Sequence, residues 1–287
     1  MLYFLCPTGN SIFIWAKEES IMKTKQRISW RSLVATSLIC LSSVSLTMNS
    51  SSAEAASAAP SQVKNVILVH GAWADGSSWS KIIPLLNAKG MNVVAVQLPL
   101  TSLADDAATV KRAIALEDGP VLLVGHSYGG AVITEAGNDP KVTGLVYVAA
   151  FAPDDGQSAG SLGATMAPPP LAAEVKPDSQ GFLKLTKAGI YESFAQDLSV
   201  SDKAILYAAQ APTNAKSLGG NVTSAAWHSK PSWYIVASKD RAIQPDLEKS
   251  MATKIHATTS TIPSSHVPML SHPDAVADVI EQAAGLK

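Results

Sequence analysis

An apolar run that ends in a glycine–serine–glycine motif constrains the fold of this chain more than any other feature. Residues 121–124 are Val-Leu-Leu-Val, and residues 125–129 directly after them are Gly-His-Ser-Tyr-Gly. A short apolar run followed by this pattern is typical of a buried strand that turns sharply into a helix, with Ser127 at the apex. Gly125 and Gly129 have no side chains, which lets the strand and the helix pass close to the apex. Since the pattern alone also arises by chance, its surroundings must support it.

Apolar runs rich in β-branched residues alternate with helix-like segments from residue 62 onward. We predict strands at 66–69, 92–96, 121–124, 142–149, 232–237 and 258–262. We predict helices at 78–89, 103–117, 245–254 and 272–284, and another that follows Ser127 and ends near 137–138. Because the strands are continuous apolar runs rather than alternating ones, we expect a parallel sheet with helices on both faces. The predicted fold class is therefore α/β.

The segment 152–230 interrupts this alternation. It is rich in proline and contains helix-like stretches at 179–187 and 201–210, but no clear buried strand. Since it begins and ends at predicted core strands, we interpret it as an insertion, a small helical cap over the strand ends. We call it the cap segment, and we predict that 62–151 together with 231–287 form the core.

The first 58 residues have the composition of an export signal rather than of a core. Basic residues lie between positions 23 and 31, an apolar stretch occupies 33–41, and Ala53 begins the first of two small-residue cleavage sites. This order predicts a signal peptide within residues 1–58, with translation starting at Met22. Because the apolar stretch is short and rich in serine, we expect a secreted or periplasmic protein without a stable membrane span in its mature form. An uncleaved anchor is the alternative interpretation.

Charge and cysteine content exclude several classes of function. The formal net charge of −1 gives no electrostatic reason to expect nucleic acid or an anionic membrane as a partner. Both cysteines, Cys6 and Cys40, lie in the predicted signal segment. The inferred mature chain therefore has no disulfide, no thiolate catalysis and no cysteine-ligated zinc. The sequence leaves the oligomeric state open.

A serine at such a turn needs a histidine as base, and position along the chain separates the candidates. His266 follows the last predicted strand, at the edge of the sheet where catalytic groups of α/β proteins collect. His272 belongs to a predicted helix start, with Ser271 as the N-cap. His126 adjoins the serine in a turn that points its side chain elsewhere. His266 is therefore the candidate base.

An acid that orients the base is expected in a loop after another strand. Asp240 follows the strand that ends near residue 237, whereas Asp154 and Asp155 follow the strand that ends near residue 149. Any of them could be an ordinary solvated turn carboxylate. We favour Asp240, because it gives the chain order serine, aspartate, histidine that accompanies this kind of turn.

Backbone N–H groups near the serine would stabilise a carbonyl oxygen that becomes negative. Tyr128 follows Ser127 at a helix N-terminus, where free N–H groups and the helix dipole coincide. The second donor is expected from the loop after the first strand, and Ala72 is our candidate. Trp73, the next residue, is a candidate for the wall of an apolar substrate pocket.

Four segments in this order resemble the α/β-hydrolase superfamily. They are residues 69–73, 125–130, 239–240 and 265–269. The chain is most similar to the small branch that contains plant methylesterases, hydroxynitrile lyases and bacterial esterase relatives. The resemblance runs from about residue 66 to the C-terminus, and implies a six-stranded, mostly parallel sheet flanked by helices.

The resemblance also implies roles for individual residues. Ser127, His266 and Asp240 match the positions of the catalytic triad, and Ala72 and Tyr128 match the backbone donors of the oxyanion hole. A serine at position 127 differs from the carboxylate that haloalkane dehalogenases and epoxide hydrolases have at this turn. The resemblance implies no metal and no organic cofactor.

Two positions separate activities within this branch. The lyases carry a lysine directly after the catalytic histidine and a threonine in the oxyanion loop, positions that here are similar to Val267 and Ala72. Without the lysine ammonium, departing cyanide loses its electrostatic support. We therefore expect an exported serine hydrolase that cleaves a small, largely apolar carboxylic ester through an acyl-enzyme. A lyase-like or other non-hydrolytic enzyme and a non-catalytic small-molecule-binding module are the alternatives.

Overall fold

The computed structural model describes residues 62–287 of the chain, so that the predicted signal peptide and the start at Met22 lie outside the described residues. The strands of this range are, in chain order, β1 (Asn65–Val69), β2 (Asn92–Ala95), β3 (Val121–His126), β4 (Val142–Val148), β5 (Val175–Pro177), β6 (Phe182–Leu185), β7 (Thr213–Asn214), β8 (Ser232–Ala237) and β9 (Thr258–Ile262).

Helices connect these strands. The α-helices of the described range are, in chain order, α1 (Ile82–Ala88), α2 (Leu103–Leu116), α3 (Tyr128–Ala136), α4 (Ala159–Gly163), α5 (Val200–Ala209), α6 (Ala215–Gly219), α7 (Pro245–Lys254), α8 (Pro268–Ser271) and α9 (Pro273–Ala283). Between residues 62 and 287, none of these helices has both the length and the apolar character needed to cross a membrane.

Six strands form one sheet in the order β2-β1-β3-β4-β8-β9, and every neighbouring pair is parallel. Leu68 of β1, for example, pairs with Ala95 of β2 on one side and with Val124 of β3 on the other. The predicted α/β-hydrolase fold with a six-stranded parallel sheet is confirmed. Because all six strands run the same way, the loops at their carboxyl ends meet at one edge of the sheet.

The two faces of this sheet bury two apolar clusters, as a parallel sheet with helices on both sides requires. Ile67 of β1 packs with Val110 and Ile114 of α2 on one face. Leu68, the next residue, packs with Ile82 of α1 and with α9 on the other face. Successive side chains of a strand point to opposite faces, so both faces of β1 must be apolar. This requirement explains the unbroken apolar runs in the sequence.

Two predicted element boundaries differ from the structure for local reasons. β4 ends at Val148 rather than at residue 149, because Ala149 has a φ of 44°, which no strand continues. The predicted helix over 78–89 is two elements, a 3-10 turn at Gly76–Trp79 and α1. Asp75 caps the first of them, since its Oδ1 accepts the Ser77 N–H at 2.7 Å.

The predicted N-cap of the last helix was wrong. Ser271 is the final residue of α8, and His272 occupies the N-cap of α9. Pro273 explains the difference, because a proline is well suited to the first helical position and disfavours a helical residue before it. Ser271 nevertheless contacts His272, with 2.9 Å between Oγ and Nδ1.

The cap segment is not helical throughout. β5, β6 and β7 form a separate antiparallel sheet of three strands, so the predicted helix over 179–187 was wrong. Asp178 folds this stretch into a hairpin, because its Oδ1 accepts the N–H groups of Gln180 and Phe182. Gly181 completes the turn with a φ of 82°. The other helix predicted in the segment is found as α5.

The cap segment follows β4 and precedes β8 along the chain, and its residues 171, 175 and 218 line the cavity described below. The predicted boundaries of core and cap at 152 and 230 stay a prediction.

Candidate functional site

Ser127 lies in a strained turn between β3 and α3. Its φ of 53° and ψ of −122° cost a residue with a side chain about 1–3 kcal/mol. Three hydrogen bonds hold the backbone there: the Ser127 N–H donates to the Val148 carbonyl (3.2 Å), and the Ser127 carbonyl accepts the N–H groups of Gly130 and Phe151 (both 3.0 Å). The turn therefore presents the serine in a fixed position at the carboxyl edge of the sheet.

The glycines on either side of Ser127 are required by close backbone contacts. A Cβ on Gly125 would lie 2.5 Å from the Gly129 carbonyl oxygen, and a Cβ on Gly129 would lie 2.5 Å from the Val69 carbonyl oxygen. Gly130, which our sequence analysis did not single out, approaches the Phe151 carbonyl oxygen just as closely. The glycines of the motif thus let α3 pack against β1 and the loop after β4.

His266 and Asp240 are hydrogen-bonded to each other at the same edge of the sheet. His266 Nδ1 lies 2.5 Å from Asp240 Oδ2, and both side chains are almost fully buried. Asp240 Oδ1 accepts the N–H groups of Ala242 (2.6 Å) and Ile243 (3.0 Å), which fixes the carboxylate. Since a carboxylate only accepts, His266 donates from Nδ1, which leaves Nε2 as the nitrogen that a neutral ring offers as an acceptor. The loops after β8 and β9 thus bring together the predicted acid and base.

A cavity of about 200 Å³ contains Ser127 and His266. Ala72, Trp73 and Tyr128, the other candidates from the sequence, line it as well. The rest of the lining is apolar or glycine, from the core and from the cap segment, and the described residues place no Asp, Glu, Lys or Arg there. Such a cavity can hold a small uncharged molecule next to one serine hydroxyl and one imidazole.

The candidate backbone donors sit in two neighbouring loops. Tyr128 is the first residue of α3, so its N–H has no partner within the helix. Ala72 follows His70 and Gly71, and His70 orders this loop: its Nε2 accepts the Leu98 N–H (2.9 Å), and its Nδ1 lies 2.8 Å from the Gly71 carbonyl oxygen. Burial lowers the pKa of His70, which keeps the imidazole neutral and able to accept.

His126 supports the loop of His266, a role that our sequence analysis missed. Its Nε2 lies 2.7 Å from the His266 carbonyl oxygen, and the two rings are 4.8 Å apart. Complete burial, with the nearby His266 as a second cause, holds the pKa of His126 well below its ordinary value. The neutral ring therefore donates from Nε2. The sequence predicts that the His126 side chain points away from Ser127, and in the structure His126 is not among the residues that line the cavity.

Glu248 of α7 is a second buried carboxyl near Asp240. It is fully buried, its Oε2 accepts the Ala237 N–H at 2.9 Å, and its Oε1 has no hydrogen-bond partner within 62–287. Burial, reinforced by the charge of Asp240, raises the pKa of Glu248 well above its ordinary value. The raised pKa favours the neutral form of Glu248. Its position beside Leu247 and three residues before Met251, on the apolar face of a helix, is the sequence signal that could have revealed it.

Replacing Glu248 by glutamine is expected to stabilise the protein at alkaline pH. The folded protein keeps a proton that the unfolded chain releases above a pH of about 4.5, so this group's contribution to stability falls as the pH rises toward the raised pKa. The loss approaches about 1.4 kcal/mol per pH unit. Urea unfolding from about pH 4 to 9 should show a shallower decline for E248Q. Identical pH slopes for both proteins would contradict the neutral state.

The alternative acids lie away from the cavity. Asp154 bonds His228 Nε2 through one oxygen and Lys254 Nζ through the other, both at 2.8 Å. Asp155 accepts the Ala225 N–H at 2.6 Å. Neither carboxylate lines the cavity or contacts His266, and both are partly solvated. Of the three carboxylates considered from the sequence, Asp240 is the one beside His266.

Comparisons with known proteins agree with this architecture. A sequence model described as "Alpha/beta hydrolase family" matches residues 66–279. The chain is 28% identical over 242 residues to alpha/beta hydrolase nvfD of Aspergillus novofumigatus, covering 77% of this chain and 96% of that protein. It is 26% identical to methylesterase 8 of Arabidopsis thaliana, covering 75% of this chain and 87% of that protein.

A crystal structure of a pyrethroid hydrolase from Sphingobium faniae has a similar fold. The TM-score is 0.69 at 23% sequence identity, and the alignment covers 78% of this chain and 98% of that one. At this level of identity the structural likeness establishes the fold alone.

Proposed function

The chain belongs to the alpha/beta hydrolase family, and from this premise we propose that it is a serine hydrolase that cleaves a carboxylic ester of a small, largely apolar substrate. The observation that carries the proposal is the buried hydrogen bond between His266 Nδ1 and Asp240 Oδ2, at the cavity that contains Ser127. A hydrogen-bonded base and acid beside a serine that lines a cavity is the arrangement that activates a hydroxyl for acyl transfer.

The proposed reaction uses this chain's own groups and water. Ser127 Oγ attacks the ester carbonyl carbon while His266 Nε2 takes its proton, and Asp240 stabilises the resulting imidazolium. The carbonyl oxygen becomes negative and is stabilised by the backbone N–H groups of Ala72 and Tyr128. When the intermediate collapses, His266 gives the proton to the leaving alcohol. Water then cleaves the acyl-enzyme by the same steps, with His266 again as the base.

The cavity supports an uncharged, apolar substrate. Its walls include Phe151, Leu171, Leu218 and Ile243 and, among residues 62–287, no Asp, Glu, Lys or Arg. A charged ester would lose its hydration there without compensation. The relative from Arabidopsis thaliana is named methylesterase 8, which supports hydrolysis as the reaction type.

A matched pair of esters tests this proposal. We expect turnover of p-nitrophenyl butyrate, and a value of kcat/KM at least about tenfold lower for the p-nitrophenyl monoester of succinate, whose free carboxylate must be desolvated. Mandelonitrile, assayed in parallel, should not be cleaved, because Val267 follows His266 where an ammonium would be needed. Cleavage of mandelonitrile without ester hydrolysis would establish the lyase alternative.

We further propose that the protein is exported. Support comes from the order of basic residues, apolar stretch and small-residue sites within 1–58. N-terminal sequencing of protein recovered outside the cytoplasm should give a mature end directly after one of the two small-residue sites, at residue 56 or 59. A mature end before Ala53 would contradict the proposed cleavage.

A further inference from the structure

A two-residue strand of the cap segment contacts two strained loops of the core. Trp73 in the loop after β1 has a φ of 57°, and Leu100 in the loop after β2 has a φ of 55°, in the region that favours glycine. The Trp73 N–H donates to Oγ1 of Thr213 (3.0 Å), and the Asn214 N–H donates to the Leu100 carbonyl (2.8 Å). β7 therefore bonds to both loops at the residues whose backbones are strained.

Trp73 is attached to the cap sheet a second time through its side chain. The indole Nε1 donates to the Leu183 carbonyl at 3.1 Å, and Leu183 is the cross-strand partner of Thr213. Thr213 is fully buried. Its hydroxyl is the acceptor that the Trp73 N–H has in this structure.

A buried carboxyl continues the connection to the other side of the site. Asp106 of α2 accepts the Leu100 N–H through Oδ1 (2.8 Å) and the Tyr128 hydroxyl through Oδ2 (2.7 Å). Asp106 is fully buried, and Tyr128 is almost so. Hydrogen bonds thus run from Trp73 through β7, Leu100 and Asp106 to Tyr128.

The two ends of this series of hydrogen bonds, which we call the hydrogen-bond chain, adjoin the two candidate oxyanion donors. Trp73 follows Ala72 in the chain. The peptide that carries the candidate oxyanion donor, the Ala72 N–H, is therefore next to the peptide whose N–H donates to Thr213. Tyr128 supplies the other N–H from its own backbone. We propose that this hydrogen-bond chain sets the spacing of the two N–H groups, with Thr213 as a positioning residue. The inference rests on the proposed ester hydrolysis.

Small displacements matter at such a site. An oxyanion donor is effective only when it lies about 2.7–3.1 Å from the developing negative oxygen, and removing one donor lowers kcat by about 10²–10³. Without the Thr213 hydroxyl, the Trp73 N–H has lost its acceptor, and the strained loop is free to turn toward another one. Ground-state binding in the apolar cavity depends little on this spacing.

A purely structural role for Thr213 predicts a different result. If its hydroxyl only fastens the cap segment, its removal lowers the thermal midpoint or raises KM as the cavity opens, while kcat stays the same. The division of the effect between kcat and KM therefore distinguishes the two roles.

The substitution Thr213→Val, which replaces the hydroxyl by a methyl group, tests the inference on p-nitrophenyl butyrate. We expect kcat to fall at least about tenfold with KM within about twofold of wild type. Thr213→Ser, which keeps the hydroxyl, should recover most of kcat. The affinity for an alkyl trifluoromethyl ketone, to which Ser127 adds to form an oxyanion, should fall in proportion to kcat/KM.

Thr186→Val is the matched control. Thr186 is also in the cap segment, and its Oγ1 also accepts a backbone N–H at 3.0 Å, from Gly189, but it contacts neither core loop. The same chemical change there should leave kcat within about twofold of wild type.

If the wild-type protein is active and T213V has the same kcat, the inference is overturned and the proposed function stays intact. If T213V does not fold, Tyr128→Phe tests the inference instead. This substitution removes the hydrogen bond between the Tyr128 hydroxyl and Asp106, at the other end of the hydrogen-bond chain, and keeps the backbone N–H of residue 128. An unchanged kcat for Y128F would then overturn it. A wild-type protein that hydrolyses no ester would overturn the proposed function and this inference together.

Discussion

Ser127→Ala is expected to lower kcat for ester hydrolysis by up to about a million-fold, the loss typical of a triad nucleophile. The variant loses the one hydroxyl that we propose to attack the carbonyl. Alanine keeps the Cβ, so the strained backbone with a φ of 53° and its three hydrogen bonds are unaffected. The thermal midpoint should therefore stay close to that of the wild type.

Ser232→Ala is the control for this variant. Ser232 is as buried as Ser127 and also lies at a strand end, but at the amino end of β8, on the opposite edge of the sheet. Its removal should leave kcat unchanged. Retained turnover in well-folded S127A, with purity checked by mass spectrometry, would contradict the assignment of Ser127 as nucleophile.

Asp240→Asn is expected to have the next largest effect, a loss of about 10⁴-fold in kcat near neutral pH. The amide oxygen can still accept the N–H groups of Ala242 and Ile243, which orients the amide nitrogen toward His266. An amide nitrogen donates, so Nδ1 must accept and the proton moves to Nε2. His266 then has no lone pair for the Ser127 proton.

Asp154→Asn supplies the comparison, since Asp154 was the other acid that the sequence left open. It bonds His228 and Lys254 at a distance from the cavity, so kcat should stay within about twofold of wild type. If D154N lost activity and D240N did not, the proposed roles of the two carboxylates would have to be exchanged.

The sequence predicts the core because the relevant signals are local. A parallel strand buried on both faces needs an unbroken apolar run, and such runs identify β1, β3, β4 and β8 directly. The turn at Ser127 is visible because steric exclusion demands glycine at fixed offsets from the serine. His266 and Asp240 follow from chain order, since each stands just after a strand whose carboxyl end reaches the same edge.

Other features depend on contacts between residues that are far apart in the sequence, and no local sequence pattern predicts them. The hairpin at Asp178 joins strands too short to show periodicity, and β7 has only two residues. Thr213 pairs with Trp73 across 140 positions of the chain. His126 likewise reaches the loop of His266, which follows it by 140 positions. The helix predicted over 179–187 is a strand instead, because tertiary pairing outweighs weak local preference.

Covalent labelling by a fluorophosphonate, followed by peptide mapping, tests the central claim most directly, because the reagent modifies a serine only where a base and oxyanion donors activate it. We expect one adduct per chain, on the peptide that contains Ser127, and no adduct in S127A. A folded wild-type protein that stays unlabelled, or an adduct on a different serine, would contradict the role of Ser127 as the nucleophile.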